Sequence, residues 1–283
     1  MGSSLQPLTS VDTSALFSPL HDELIHLLSG LRHTDWALPT VAGSWRVRDV
    51  VAHLIDGQMR RLSIQRDGVG PPAPRNPVED YESLVAHLND LNDEWVQAMR
   101  RVSERQLLTL LERVGSEYAD FMASLDPDGI ALFPVAWAGE AESKNWMDVG
   151  RDYTELWHHQ AQIRQAVGAQ VLITREFFFP VLDLGIRGVH RSWSDFEYEP
   201  DAVLLVEVEG EAGGEWSLLR EGRRWVIYRG THAKPTTSVS MSADTAWRLL
   251  FNALDPSGAE EEIEYSGERE LFLRFLGVRS VMV

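Results

Sequence analysis

The sequence predicts an all-α helical bundle over residues 1–170, followed by a smaller α+β domain over residues 171–283. Three observations carry that prediction. Apolar residues recur at helical spacing in long segments between Thr13 and about Trp193. From Ala202 onward the texture changes to short runs separated by glycine-containing turns. The 283 residues are 44% hydrophobic, enough to give one large domain or two ordinary ones a sizeable core.

The first predicted helix runs from Thr13 to Leu31, with Leu16, Leu20, Leu24, Leu27, Leu28 and Leu31 on its apolar side. His21 and His26 are five apart and share no face, so both are placed at the surface or its boundary. Ser44 reads as the N-cap of a second helix, Trp45 to roughly Arg66. Val47, Val50, Val51, Leu54 and Leu62 form its core side, and His53 lies among them. Gly68 to Pro77 holds four prolines and two glycines and breaks the chain. It reads as a surface loop or a cover for a site. Tyr81–Arg101 and Glu104–Leu125 read as two helices, or as one long helix interrupted near Ser103. Glu142–Gly168 is the next helix, stopped at Gly168, and Thr174 to about Trp193 the one after.

The second domain is expected to hold a small, mostly antiparallel sheet. Ala202–Glu209 alternates late in its run, as a half-buried strand does. Glu215–Arg220 and Arg224–Arg229 read as a hairpin about Glu221 and Gly222. Thr237–Ser242 is a further strand, and Ser242 caps a helix to Leu254. Ile263–Tyr265 and Glu268–Leu276 close the chain as strand and short helix.

The formal net charge of −17 argues against a nucleic-acid partner and against anionic membranes. No apolar run reaches transmembrane length and the start carries no signal-peptide pattern, so the default expectation is a soluble cytoplasmic protein, monomeric or weakly dimeric. There is no cysteine. Any zinc must use His and carboxylate ligands, and any thiol must come from outside the chain. Phosphate loops, nucleophile elbows and His-Glu-x-x-His are all missing from the sequence.

The stretch Asp152–Gly168 carries the chemistry. Beside its apolar positions Leu156, Ile163 and Val167 runs a polar stripe of Asp152, Glu155, His159 and Gln162. Glu155 and His159, four apart, stack on one face. A carboxylate and an imidazole held this way can serve one divalent metal, with His53 from another helix as third ligand. The same pattern also fits an ordinary surface contact beside a structural histidine. His158 is the nearest rival ligand and reads as a flanking helix residue. Asp49 and Asp56 either orient His53 or pair with Arg46 and Arg60. Arg164 either pairs with an acidic neighbour or binds a substrate carboxylate. Trp45 and Trp157 are candidates to line a pocket.

Trp45 to Leu54 resembles the second-helix motif of the DinB-like four-helix-bundle metalloproteins, and Thr154 to Gly168 resembles their fourth-helix motif. The nearest resemblance is to the N-terminal domain of the mycothiol-dependent maleylpyruvate isomerase family. Val206 to Leu218, Trp225 and the run Ser238 to Ser242 resemble a sterol-carrier-like domain. The resemblance implies a four-helix DinB-like bundle whose metal, typically zinc, is held by His53, Glu155 and His159. It implies a low-molecular-weight thiol cofactor (mycothiol, bacillithiol or glutathione) and a small electrophilic, carboxylate-bearing substrate. The activity implied is isomerase or transferase chemistry: thiol addition, then rotation and elimination, or retention of the adduct. The second domain would close the cleft and supply a cationic group. The family's catalytic arginine matches no single position among Arg220, Arg223, Arg224 and Arg229. The alternative is a non-catalytic protein that sequesters a thiol conjugate or an apolar ligand.

Overall fold

The structure is a computed structural model, and it describes residues 5–281. These form two compact units that are not strictly sequential. One comprises Asp12–Leu132 and Lys144–Val171. The other comprises residues 5–11, Phe133–Ser143 and residues 172–281.

The first unit is helical: α1 (Phe17–Ser29), α2 (Val47–Arg61), α3 (Tyr81–Met99), α4 (Glu104–Ser124) and α5 (Asn145–Ala166). Helices α1 and α2 each pack against both α4 and α5, which closes a four-helix ring; α3 packs on α2. The leucine spacing explains α1, whose Leu20, Leu24 and Leu28 are all buried. Ser103 separates α3 from α4, so the two-helix reading holds there. Helix α5 is buried along most of its length, from Asn145 to Arg164, as a helix facing two neighbours must be.

Several expected boundaries shift. Helix α2 starts at Val47 and not at Trp45, and its N-cap is Arg46, with Asp49 accepting from the Arg46 backbone N–H; Ser44 does not cap it. Its last turn, Leu62–Arg66, widens to a π-helix. Residues 142–144 are not helical, and Gly168 stops α5 with φ +70°, the left-handed conformation that favours glycine. Residues 66–80 are exposed throughout, as a plain surface loop. His21 is buried, not a surface histidine: its ring fills the groove left by Gly115 on α4. A leucine-rich face showed where α1 packs but not that a glycine opposite would admit an imidazole.

The second unit is α+β. A two-residue strand β1 (Gln6–Pro7) precedes α6 (Arg175–Gly185), which Thr174 caps, and the short α7 (Val189–Ser192). Strands β2 (Val203–Val208), β3 (Gly214–Glu221), β4 (Arg224–Arg229), β5 (Thr237–Met241) and β6 (Glu264–Gly267) follow. They form one sheet in the order β1-β4-β3-β2-β5-β6, antiparallel except for β2 against β5. Strand β2 is therefore central and nearly all buried, where a half-buried strand was expected; a strand with neighbours on both edges and cover on both faces reads as a continuous apolar run. Helices α8 (Ala243–Leu250, capped by Ser242), α9 (Pro256–Glu262) and α10 (Arg269–Leu276) complete the unit. Helix α8 ends four residues before the expected Leu254. Helix α9 was missed, although Asp255 before Pro256 is a recognisable start. No helix among the described residues is long and apolar enough to cross a membrane.

The Gly115 packing yields two expectations. A Cβ at Gly115 would stand 2.1 Å from His21 Cε1, so Gly115→Ala should lower stability by roughly 1–3 kcal/mol in a denaturant titration, despite alanine's better helix propensity. Burial lowers the His21 pKa below its ordinary 6.5. The unfolded chain then takes up a proton before the folded one, so stability is full above about pH 6.5 and falls as the pH drops toward the folded value. In His21→Leu the slope of stability against pH should flatten across that window.

Candidate metal centre

The segment before α2 places the first member of the site. Thr40 N–H and Thr40 Oγ1 both donate to the Trp45 carbonyl, and Val47 N–H donates to that of Leu38. Gly43, at φ +58°, makes the turn between them. Trp45 is thereby laid against the first turns of α2, its ring centroid 5.0 Å from that of His53 and 6.4 Å from that of His159.

Helices α2 and α5 bring the three expected residues together. His53 Nε2 lies 3.1 Å from Glu155 Oε1, and His159 Nε2 lies 3.1 Å from the same oxygen. The imidazole centroids are 4.7 Å apart. One ligand atom from each residue falls within 4.8 Å of the other two. Both histidines are buried, while the Glu155 side chain keeps 44% of its surface exposed. The outer nitrogens differ. His159 Nδ1 lies 2.8 Å from Gln162 Oε1, whereas His53 Nδ1 is buried with no hydrogen-bond partner among the described residues.

The electrostatics favour an electron-rich cluster. Burial lowers the His53 pKa, and the charges of His159 and Arg60 push the same way against Glu155. Burial pushes the Glu155 carboxyl up, but the surrounding His158, His159 and His53 imidazoles outweigh it and hold it well below the usual carboxylate range. At neutral pH the cluster thus presents an ionised carboxylate and a neutral His53.

The remaining candidates resolve individually. His158 is buried, with Nδ1 2.9 Å from the Thr154 carbonyl, and burial pushes its pKa down to about 3; it stands outside the ligand cluster. Asp49 pairs with Arg100, and Asp56 pairs with Arg60 at 3.3 Å; neither is hydrogen-bonded to His53. Arg164 pairs with Glu23 at 3.0 Å and donates to the Gln170 carbonyl at 3.1 Å. Trp157 is buried core. Asp152 leaves the stripe it shares in sequence with Glu155. It accepts from Tyr118 Oη at 2.6 Å and pairs with Arg151 at 2.8 Å. Arg61 of α2 pairs with Asp148 and reaches Asp152 at 3.8 Å, and Arg151 also holds Asp148 at 2.7 Å. This buried network was not read from the sequence. The signal for it was Asp148 and Asp152, four apart on the face that also carries Glu155.

Two histidines and a glutamate thus converge from two helices of a bundle, the arrangement implied by the resemblance of the α2 and α5 motifs to the DinB-like class. The chain belongs to the mycothiol maleylpyruvate isomerase N-terminal domain family, whose sequence profile matches residues 17–164. Its fold is similar to a crystal structure of the mycothiol-dependent maleylpyruvate isomerase, with a TM-score of 0.55, 13% identity and coverage of 90% of this chain and 92% of that one. A histidine-to-alanine mutant of that enzyme aligns equally far, at a TM-score of 0.54 and 12% identity. A ubiquinone synthesis protein, UbiJ-SCP2, aligns over 32% of this chain and 76% of its own at a TM-score of 0.24 and 19% identity; at that score the sterol-carrier likeness of the second unit stands as a sequence resemblance. No curated protein matches the sequence.

The network between α2 and α5 makes a direct stability test. Asp148 is fully buried. Arg61→Met would remove one of its two arginine partners, leaving Arg151; breaking a buried pair from one side costs about 3–5 kcal/mol. An unfolding free energy lowered by less than a third of that in a chemical denaturation would show that Arg151 alone satisfies Asp148.

Proposed function

We propose that this chain is a metal-dependent, low-molecular-weight-thiol-dependent isomerase or transferase acting on a small electrophilic substrate, as its family membership suggests. The observation that carries the reading is the convergence of His53, Glu155 and His159. In a tetrahedral zinc site with bonds of ~2.0–2.2 Å, neighbouring ligand atoms stand about 3.4 Å apart. The two imidazole–carboxylate distances here, 3.1 Å, come within a few tenths of an ångström of that, and all three ligand atoms lie within 4.8 Å of one another. Three protein ligands leave a position free, which is the pattern of a catalytic site.

His53, Glu155 and His159 would hold the ion, and the ion would supply a lowered pKa for a thiol or water bound beside it. Trp45 walls the histidine side and keeps water from it. The chain has no thiol of its own, so the nucleophile is an imported one: mycothiol, bacillithiol or glutathione. A cofactor of that kind places the work in the cytoplasm. The cationic group that would receive a substrate carboxylate is not among the ligands, and no arginine is assigned to it.

The alternative is a non-catalytic protein that sequesters a thiol conjugate or an apolar ligand, and one apolar cavity of the second unit is too small for such a ligand. The apolar cavity between α6, the sheet and α8, lined by Leu182, Val206, Trp216 and Leu250 among others, has a volume of about 10 Å³. That is the space of roughly one water molecule.

Elemental analysis of the purified chain should find about one zinc or similar divalent ion per molecule, falling to background in His53→Ala and Glu155→Gln. The zinc-loaded chain should turn over a member of an electrophile panel with one of the three thiols, and His53→Ala should abolish that turnover. Metal bound without turnover across the panel would favour the sequestering protein. Unchanged metal content in His53→Ala would remove the basis of both readings.

A further inference from the structure

We propose that Gln162 is the positioning residue of the metal centre: its side-chain oxygen takes the Nδ1 proton of His159 and so turns the Nε2 lone pair toward Glu155. The inference rests on the metal reading above and concerns how the chain prepares the site.

A neutral imidazole has one N–H and one lone pair. His159 Nδ1 stands 2.8 Å from Gln162 Oε1, an atom that only accepts. The proton therefore sits on Nδ1, and Nε2 keeps the lone pair. That lone pair faces Glu155 Oε1 at 3.1 Å, a second electron-rich atom, with His53 Nε2 at the same distance on the other side. Two acceptors at this separation repel unless a cation or a proton lies between them. Gln162 thus converts what would be a self-satisfied His–Glu hydrogen bond into an open coordination position.

The arrangement is local and rigid. Gln162 follows His159 by three residues, on the same face of α5, and only 4% of its surface is exposed. It has no competing use for its oxygen among the described residues. His53 has no equivalent: its Nδ1 is buried and unpartnered, and the Trp45 ring beside it supplies its orientation by packing. The two histidines of the site are therefore held by different means, one by a hydrogen bond and one by an aromatic wall. The opposite amide orientation would donate to Nδ1, place the proton on Nε2 and close the site with an Nε2–H to Glu155 hydrogen bond.

Zinc affinity, measured by competition with a chromophoric chelator, tests this. Gln162→Met keeps the size and removes the acceptor; it should weaken zinc binding roughly 10–100-fold, the usual effect of losing such a supporting contact. Gln162→Glu restores an acceptor and should recover wild-type affinity or exceed it. Gln160→Met is the control. Gln160 is buried on the same helix and donates to the Leu20 carbonyl away from the ligands, so it should lose stability without losing zinc affinity. In ¹⁵N-imidazole spectra of the zinc-loaded chain, a slowly exchanging His159 Nδ1–H should appear in the wild type and Gln162→Glu and vanish in Gln162→Met. Equal zinc affinity in wild type and Gln162→Met, or a slowly exchanging Nδ1–H that persists in Gln162→Met, would overturn this inference alone. A wild-type chain that binds zinc no better than His53→Ala would overturn the metal reading and this inference with it.

Discussion

The register between α2 and α5 is the constraint on which the candidate site depends. His53 meets Glu155 and His159, while Arg61, eight residues on, meets Asp148 and Asp152. Contacts that advance along one helix retreat along the other, as antiparallel neighbours require. Eight residues of helix rise about 12 Å, so the ion network and the ligand cluster are two separate pins on one helix pair. A slip of a single residue would shift α5 by about 1.5 Å and turn its side chains by about 100°, and Glu155 and His159 would together lose His53 of α2. Apolar packing alone resists such a slip weakly, because leucine and valine ridges can mesh in neighbouring registers. The buried ion pairs discriminate sharply, since each alternative leaves a charge unpaired inside the bundle.

That division explains why burial falls so heavily on α5. Its sequence from Asp148 to Arg164 is rich in polar side chains, yet most are buried, with Arg151, Asp152 and Glu155 partly exposed. Each pairs with a residue of a different helix or holds a neighbour in place: Asp152 with Tyr118 of α4, Glu155 with His53 of α2, Gln160 with the backbone of α1, Arg164 with Glu23 of α1. Buried polar groups are tolerable only when satisfied, and α5 satisfies them by touching three other helices. The satisfaction is incomplete: on α5 itself Asn145 Oδ1, Gln160 Oε1 and Arg164 Nε have no hydrogen-bond partner among the described residues.

Much of this was legible in the chain itself, for identifiable reasons. Glu155 and His159 share a helix face, so their proximity follows from spacing alone, and the heptad-like leucines of α1 announce its buried side. The family resemblance supplied His53, which lies a hundred residues away and which no local rule connects to Glu155. What remained hidden depends on partners from elsewhere in the fold. Asp152 sits on the same stripe as Glu155, yet its environment is set by Arg61 and Tyr118. His21 looked like a surface residue because nothing in α1 shows that Gly115 will stand opposite. Strand β2 looked half-buried because alternation reports one covered face, and a central position between β3 and β5 is a property of the sheet. The return of residues 5–11 and Phe133–Ser143 to the second unit likewise follows from contacts that no local pattern encodes.

A fold shared at 13% identity over 90% of the chain requires little of the sequence residue by residue. Core positions tolerate exchange among apolar residues of similar volume, so the apolar sequence can drift while the fold stays. A carboxylate with two imidazoles around one point has no such latitude, because each replacement changes ligand charge or reach. The ion pairs behind the cluster are constrained in a second way, through the register they hold. The second unit carries no comparable demand visible in its own contacts: its buried charge, Asp183, is met by Arg229 at 2.8 Å and Trp216 Nε1 at 3.0 Å, a pairing that secures α6 to the sheet. The candidate site, by contrast, draws its geometry from two helices at once, His53 from α2 and the Glu155–His159 pair from α5.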